Sequence, residues 1–139
     1  LVHTVVDETS NVGAWPSMSM QSETLTIAYQ DLDNQDLLVA SREGGGAFSR
    51  VIVDDGDYIG ADTEVFARDG ELHVLYFDGK TNDMKMAAQN GAEWALQTIG
   101  GENTAVGFHN EIAQDLNGNW WAASYNYTDR KIFARWLAD

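Results

Sequence analysis

The chain has no cysteine, so a disulfide framework, a thiol nucleophile and a cysteine-built zinc site are excluded. Cationic side chains are scarce, with 8 Lys and Arg against 22 Asp and Glu and a net charge of −14. Such a surface repels phosphate backbones and anionic lipid, which argues against nucleic-acid and membrane-surface partners. No apolar run approaches the roughly 18 residues that a membrane-spanning helix needs. The chain opens on Leu-Val-His without an initiator Met or a signal-peptide pattern, as a processed or trimmed product would. Sustained helical spacing is also missing. What is present is apolar and aromatic. Of 139 residues 44% are hydrophobic, with five Trp, five Tyr and five Phe spread along the chain, enough for one domain with a core and too many for a disordered polymer.

A period of 47 residues organises the chain. Val12-Gly13, Ile59-Gly60 and Val106-Gly107 stand at that step, as do Ala40, Ala87 and Ala134, and Tyr29 and Tyr76. In the third copy Tyr125 comes late, which predicts an insertion of one or two residues near Asn117-Gly118. Each repeat divides into four short strands joined by turn signals such as Asp69-Gly70 and Asn90-Gly91. First strands are expected at 17–21, 64–68 and 111–115, and second strands at 25–29, 72–76 and 120–125. Third strands are expected at 37–41, 84–88 and 132–136, and fourth strands at 48–53 and 94–99. In the second strand of the middle repeat, Leu72, Val74 and Tyr76 point one way and Leu75 and Phe77 the other, so the sheet is covered on both faces. Tyr29 and Tyr76 lie at strand ends, with their hydroxyls expected to reach water. Stacked four-stranded antiparallel sheets at a period of 40–50 residues are the blades of an all-β propeller.

The ends are complementary. The third repeat stops after its third strand, whereas residues 1–6 (Leu-Val-His-Thr-Val-Val) stand where a fourth strand would. The chain therefore reads as one half-propeller domain: a closing strand at 1–6, blades at 13–59 and 60–106, and three strands of a blade at 107–139. The expectation is a six-bladed homodimer with strand exchange at both seams. A fragment of a longer propeller is the alternative.

Asp69-Gly70, His73, Tyr76, Asp78, Lys85 and Ala87 in the middle repeat resemble the repeats of secreted bacterial β-propellers. The first repeat keeps Tyr29, Asp31 and Ala40, and the third keeps Asn117-Gly118 and Ala134. The resemblance implies the architecture and an extracellular or periplasmic address. Lectins, hydrolases, lyases and scaffolds share such repeats, so it does not choose a function.

First strands line a propeller's channel, and ligands bind where they open. Aligned by repeat, the mouth carries Trp15, Asp62 and His109, and two residues on Ser17, Glu64 and Glu111. Carboxylates gathered there raise one another's pKa or recruit a cation. Trp15, with Tyr58 and Phe108, offers a surface for a sugar ring. The loop Asp31-Leu32-Asp33-Asn34-Gln35-Asp36 alternates carboxylates like the opening of a calcium loop, which makes Asp31, Asp33 and Asp36 a second candidate site, for calcium. No other cofactor is suggested.

The leading expectation is a non-enzymatic binding module presenting an acidic mouth to a carbohydrate or cation through Trp15, Asp62, Glu64, His109 and Glu111. One alternative is a glycoside hydrolase or polysaccharide lyase using Glu64, Glu111 and His109. The other is a self-assembling half-propeller without a ligand.

Overall fold

The computed structural model describes residues 2–138. The first residue of the expected closing strand and the last residue of the third blade lie outside the described residues. Eleven strands form three antiparallel sheets in chain order. The first sheet holds β1 (Val12–Gln21), β2 (Thr24–Asp31), β3 (Leu37–Glu43) and β4 (Ser49–Asp54). The second holds β5 (Ile59–Arg68), β6 (Glu71–Asp78), β7 (Asp83–Asn90) and β8 (Glu93–Gly100). The third holds β9 (Val106–Gln114), β10 (Trp120–Asn126) and β11 (Lys131–Leu137). This is β-propeller architecture, and the first strands of neighbouring sheets lie against one another.

Pairing registers fix the insertion at one residue. Ser17 faces Ala28 and Glu64 faces Leu75, 47 residues on at both ends, but Glu111 faces Ala123. The added residue lies in the turn 115–119, where Asp115 accepts the main-chain N–H groups of Asn117 and Asn119. The shift carries into β11. Val74 pairs Ala87, whereas Ala122 pairs Arg135, so Arg135 and not Ala134 is the counterpart of Ala87. The 47-residue spacing of Ala134 is coincidental.

The cores lie between blades. Val39 and Val53 of the first blade pack against Val65, Val74 and Tyr76 of the second. Phe66, Leu75 and Met84 of the second pack against Val106, Ala122 and Leu137 of the third. The two-faced reading of β6 therefore holds, with Val74 and Tyr76 on one side and Leu75 on the other. Residues 2–6 form no strand within the chain. Val6 instead packs on the outer face of the first blade beside Tyr29, Leu38 and Ala40.

One expectation fails for a simple reason. The Tyr76 hydroxyl does not reach water: the residue is fully buried and the hydroxyl donates to Asp54 Oδ2 at 2.7 Å. A buried hydroxyl requires a partner, and the end of β4 supplies one.

Candidate active site

Each first strand starts five residues earlier than the spacing suggested, because a β-bulge lets it continue past the hydrophobic-Gly pair. Registers shift between Ala14 and Ser17 and between Ala61 and Glu64, and the β9–β10 ladder shifts likewise. The bulge residue is left-handed in every blade: Trp15 at φ 53°, Asp62 at 50° and His109 at 52°. Left-handed backbone is unusual for residues other than glycine, and bulges of this kind re-aim side chains. Three repeat-equivalent bulges thus turn an indole, a carboxyl and an imidazole out at the same level of the fold.

The residues after the second and third bulges tie the blades together. Thr63 Oγ1 donates to the Trp15 carbonyl, and Asn110 Nδ2 donates to the Asp62 carbonyl at 2.8 Å. Ser17 Oγ accepts the Val65 main-chain N–H at 2.9 Å. The Trp15 and Asp62 bulges are therefore each held by a side chain from the next blade. Asn110 is buried, and among the described residues its Oδ1 has no hydrogen-bond partner.

Trp15, Pro16, Asp62, Thr63, Glu64 and Asn110 line a cleft of about 170 Å³. Burial, and next the charge of Glu111, push the Glu64 carboxyl up from 4.5 to about 7. Burial also raises Asp62, with the His109 main-chain N–H and the imidazole charge opposing it. The His109 ring is 79% exposed and its Nδ1 stands 3.9 Å from Asp62 Oδ1. A carboxyl whose proton is held more tightly by burial is a group suited to giving that proton to a bound molecule.

Of the residues expected at the mouth, Trp15, Asp62 and Glu64 share this cleft. His109 stands beside Asp62, and Glu111 acts on Glu64 through its charge. Thr63 and Asn110 were missed, although both are polar and directly follow a bulge position at the 47-residue step. The aromatic platform does not form as a unit. Phe108 stacks on Phe77 with ring centroids 4.1 Å apart, and Tyr58 lines a different cleft with Leu32 and Phe77.

Asp31, Asp33 and Asp36, the residues of the calcium reading, are each held in a different way. Asp31 accepts the main-chain N–H groups of Asp33 and Asn34 and the Asn34 side-chain amide, so its carboxylate closes its own turn. Asp33 accepts from Asn11, and Asp36 is buried separately, its carboxyl raised by burial and by neighbouring carboxylates. Among the described residues no three His, Asp or Glu side chains are grouped to hold a metal ion. No helix there is long and apolar enough to cross a membrane.

No known protein family matches the chain, and no curated protein does. Solved structures do. A β-xylosidase, RS223, aligns over 82% of this chain and 44% of its own at 15% identity, with a TM-score of 0.60. An exo-1,5-α-L-arabinanase from a bovine ruminal metagenomic library aligns over 99% and 54% at 12% identity and 0.60. A GH43 endo-arabinanase from Bacillus licheniformis aligns over 86% and 49% at 14% identity and 0.52. At these identities the likeness carries the fold. The chain spans about half the length of the structures it matches. All three are enzymes that cut glycosidic bonds. That overturns the expectation of a non-enzymatic binding module and favours the hydrolase alternative.

Proposed function

We propose that this chain forms part of a glycoside hydrolase of the β-propeller type. The reaction takes place at the bulge end of the channel, which a second copy completes to six blades. The observation that carries the reading is the Glu64 carboxyl, held near neutrality in the cleft under the charge of Glu111. Glu64 gives its proton to the glycosidic oxygen as the bond to the anomeric carbon breaks. Water attacks that carbon, and Glu111 takes the proton that water releases. Asp62, with His109 beside it, holds charge near the developing oxocarbenium ion. Trp15, half exposed at the rim, offers its ring to a sugar face, and Asn110 Oδ1 accepts from a sugar hydroxyl. A chain carrying −14 suits a neutral glycan better than a uronate. The glycosidase likeness and the resemblance to secreted propellers both fit an extracellular or periplasmic setting.

The test is turnover of chromogenic neutral glycosides, β-xylosides and α-arabinosides first. Glu64→Gln is expected to lower kcat about 10²- to 10⁴-fold with the melting temperature kept. The wild-type rate should fall as pH rises through about 7. A chain inactive across the panel, or a Glu64→Gln chain as active as wild type, sinks the reading.

A further inference from the structure

Within the chain, the end of β4 docks on the next blade. Val53 packs into the core shared with the second blade, and the Asp54 carboxylate accepts the Tyr76 hydroxyl. Forty-seven residues earlier the same contacts recur without a blade behind them. Val6 packs on the first blade, and Asp7 Oδ2 accepts the Tyr29 hydroxyl at 2.8 Å. Residues 2–7 are thus placed as the end of a fourth strand whose third strand is absent. β11 has the converse lack: its inner edge pairs β10, and among the described residues no strand pairs its outer edge.

The flanks repeat this complementarity. The first blade turns out Met18 (71% exposed) and Met20 (63%), and an apolar cleft of about 270 Å³ lies between Val6, Pro16, Met18 and Tyr29. The third blade turns out Trp136 (54%) and Ile132 (77%), which lie beside Trp121 and Tyr125 on one face. The glycines agree. A Cβ on Gly60 would come within 2.9 Å of Leu37 Cα, and one on Gly107 within 3.1 Å of Met84 Cα, the matching position one blade on. Gly13 has the same left-handed backbone and nothing within 4 Å. The third-blade position equivalent to Leu37 and Met84 is Ile132. Arg130 and Lys131 stand at the start of β11, and Glu8, exposed just after residues 2–7, is of opposite sign.

We propose that a second copy of this chain covers both flanks in a two-fold pair, residues 2–6 of each copy adding as an antiparallel strand to β11 of the other. The register follows from the two complete blades, where Val39 pairs Val51 and Met86 pairs Gln97. It sets Thr4 opposite Ala134 and Val5 opposite Phe133. Gly13 then seats against Ile132 of the partner subunit. Exposed edges and apolar faces of this kind drive association, and an isologous pair closes both seams at once. The pair completes the channel on which the proposed activity rests. Its test reads mass and linkage instead of turnover, so the two proposals fail separately.

Light scattering across the micromolar range is expected to give twice the 15.3 kDa of one chain. Chains carrying Thr4→Cys and Ala134→Cys, mixed and oxidised, should link, and Thr9→Cys with Ala134→Cys should not. The absence of native cysteine makes the linkage unambiguous. A one-chain mass throughout overturns the proposal. So does a mass that climbs past two chains with concentration, the mark of open head-to-tail growth, and so does a pair that forms without the 4–134 link.

Discussion

The seam between the first two blades and the open flank of the first blade use one device in two settings. At the seam, Asp54 accepts from Tyr76 and from Lys85 Nζ, both at 2.7 Å, and Lys85 also stands 3.5 Å from Asp78. The Asp54 and Lys85 side chains are 8% and 16% exposed. At the flank, Asp7 accepts from Tyr29 at 2.8 Å and from Arg50 at 3.2 Å, and the Arg50 side chain is 47% exposed. The seam between the second and third blades abandons the device. Register puts Ser124, Phe133 and Gly100 where Tyr76, Lys85 and Asp54 stand, and a Cβ on Gly100 would lie 3.7 Å from the Phe133 ring. Apolar packing replaces the buried ions there. Buried ion pairs are often no more stabilising than well-packed apolar groups of similar size, so both solutions serve. A buried pair differs in its sensitivity to losing one member.

The largest expected effect follows from that sensitivity. Asp54→Ala leaves Lys85 and the Tyr76 hydroxyl poorly satisfied in the core, at a cost of about 3 kcal/mol. Asp7→Ala leaves Arg50 free to turn to water and costs about 1 kcal/mol. Denaturant titrations of the two variants side by side measure the gap. Equal losses would show that burial does not separate the two copies.

A smaller effect separates the glycines of the same two settings. Gly60→Ala combines φ +89° with a backbone clash against Leu37, and costs about 2 kcal/mol or more. Gly13→Ala carries only the backbone strain, about 1 kcal/mol, when measured on dilute single chains. Its cost should grow with protein concentration as the flank is covered. Thermal melts at two concentrations read both terms, and a Gly13→Ala cost as large as that of Gly60→Ala in dilute solution would contradict the open flank.

The propeller was legible in the sequence because strand alternation and the 47-residue period report on burial directly. The bulges were not. Trp15, Asp62 and His109 are left-handed without the glycine or asparagine that usually signals it, and at Trp15 and Asp62 a side chain from the next blade holds the bulge. For the same reason Thr63 and Asn110 do not stand out in the sequence: their role is a contact between blades, which a strand pattern does not encode. The Tyr–Asp pairs do not show in the strand pattern around either tyrosine. Asp7 to Tyr29 and Asp54 to Tyr76 share a separation of 22 residues, and that shared spacing was the available signal.

The smallest effect concerns pH, where the seam and the cleft carry opposite signs. Burial pushes the Asp54 carboxyl up, but bonds from Lys85 and Tyr76 outweigh it and hold it below the ordinary 3.8. The stability it adds is present above that value and is lost as pH falls through the folded one. Glu64 is raised from 4.5 to about 7, so the folded state binds its proton more tightly than the unfolded chain. That contribution is complete below pH 4.5 and is lost as pH rises through about 7. Urea midpoints should therefore show Asp54→Asn approaching wild type only in acid. Glu64→Gln should gain on wild type between pH 4.5 and 7.5, by roughly tenths of a molar. Curves that stay parallel across that window would mean that Glu64 sits in water rather than in the cleft, and the proton it holds would no longer mark a site.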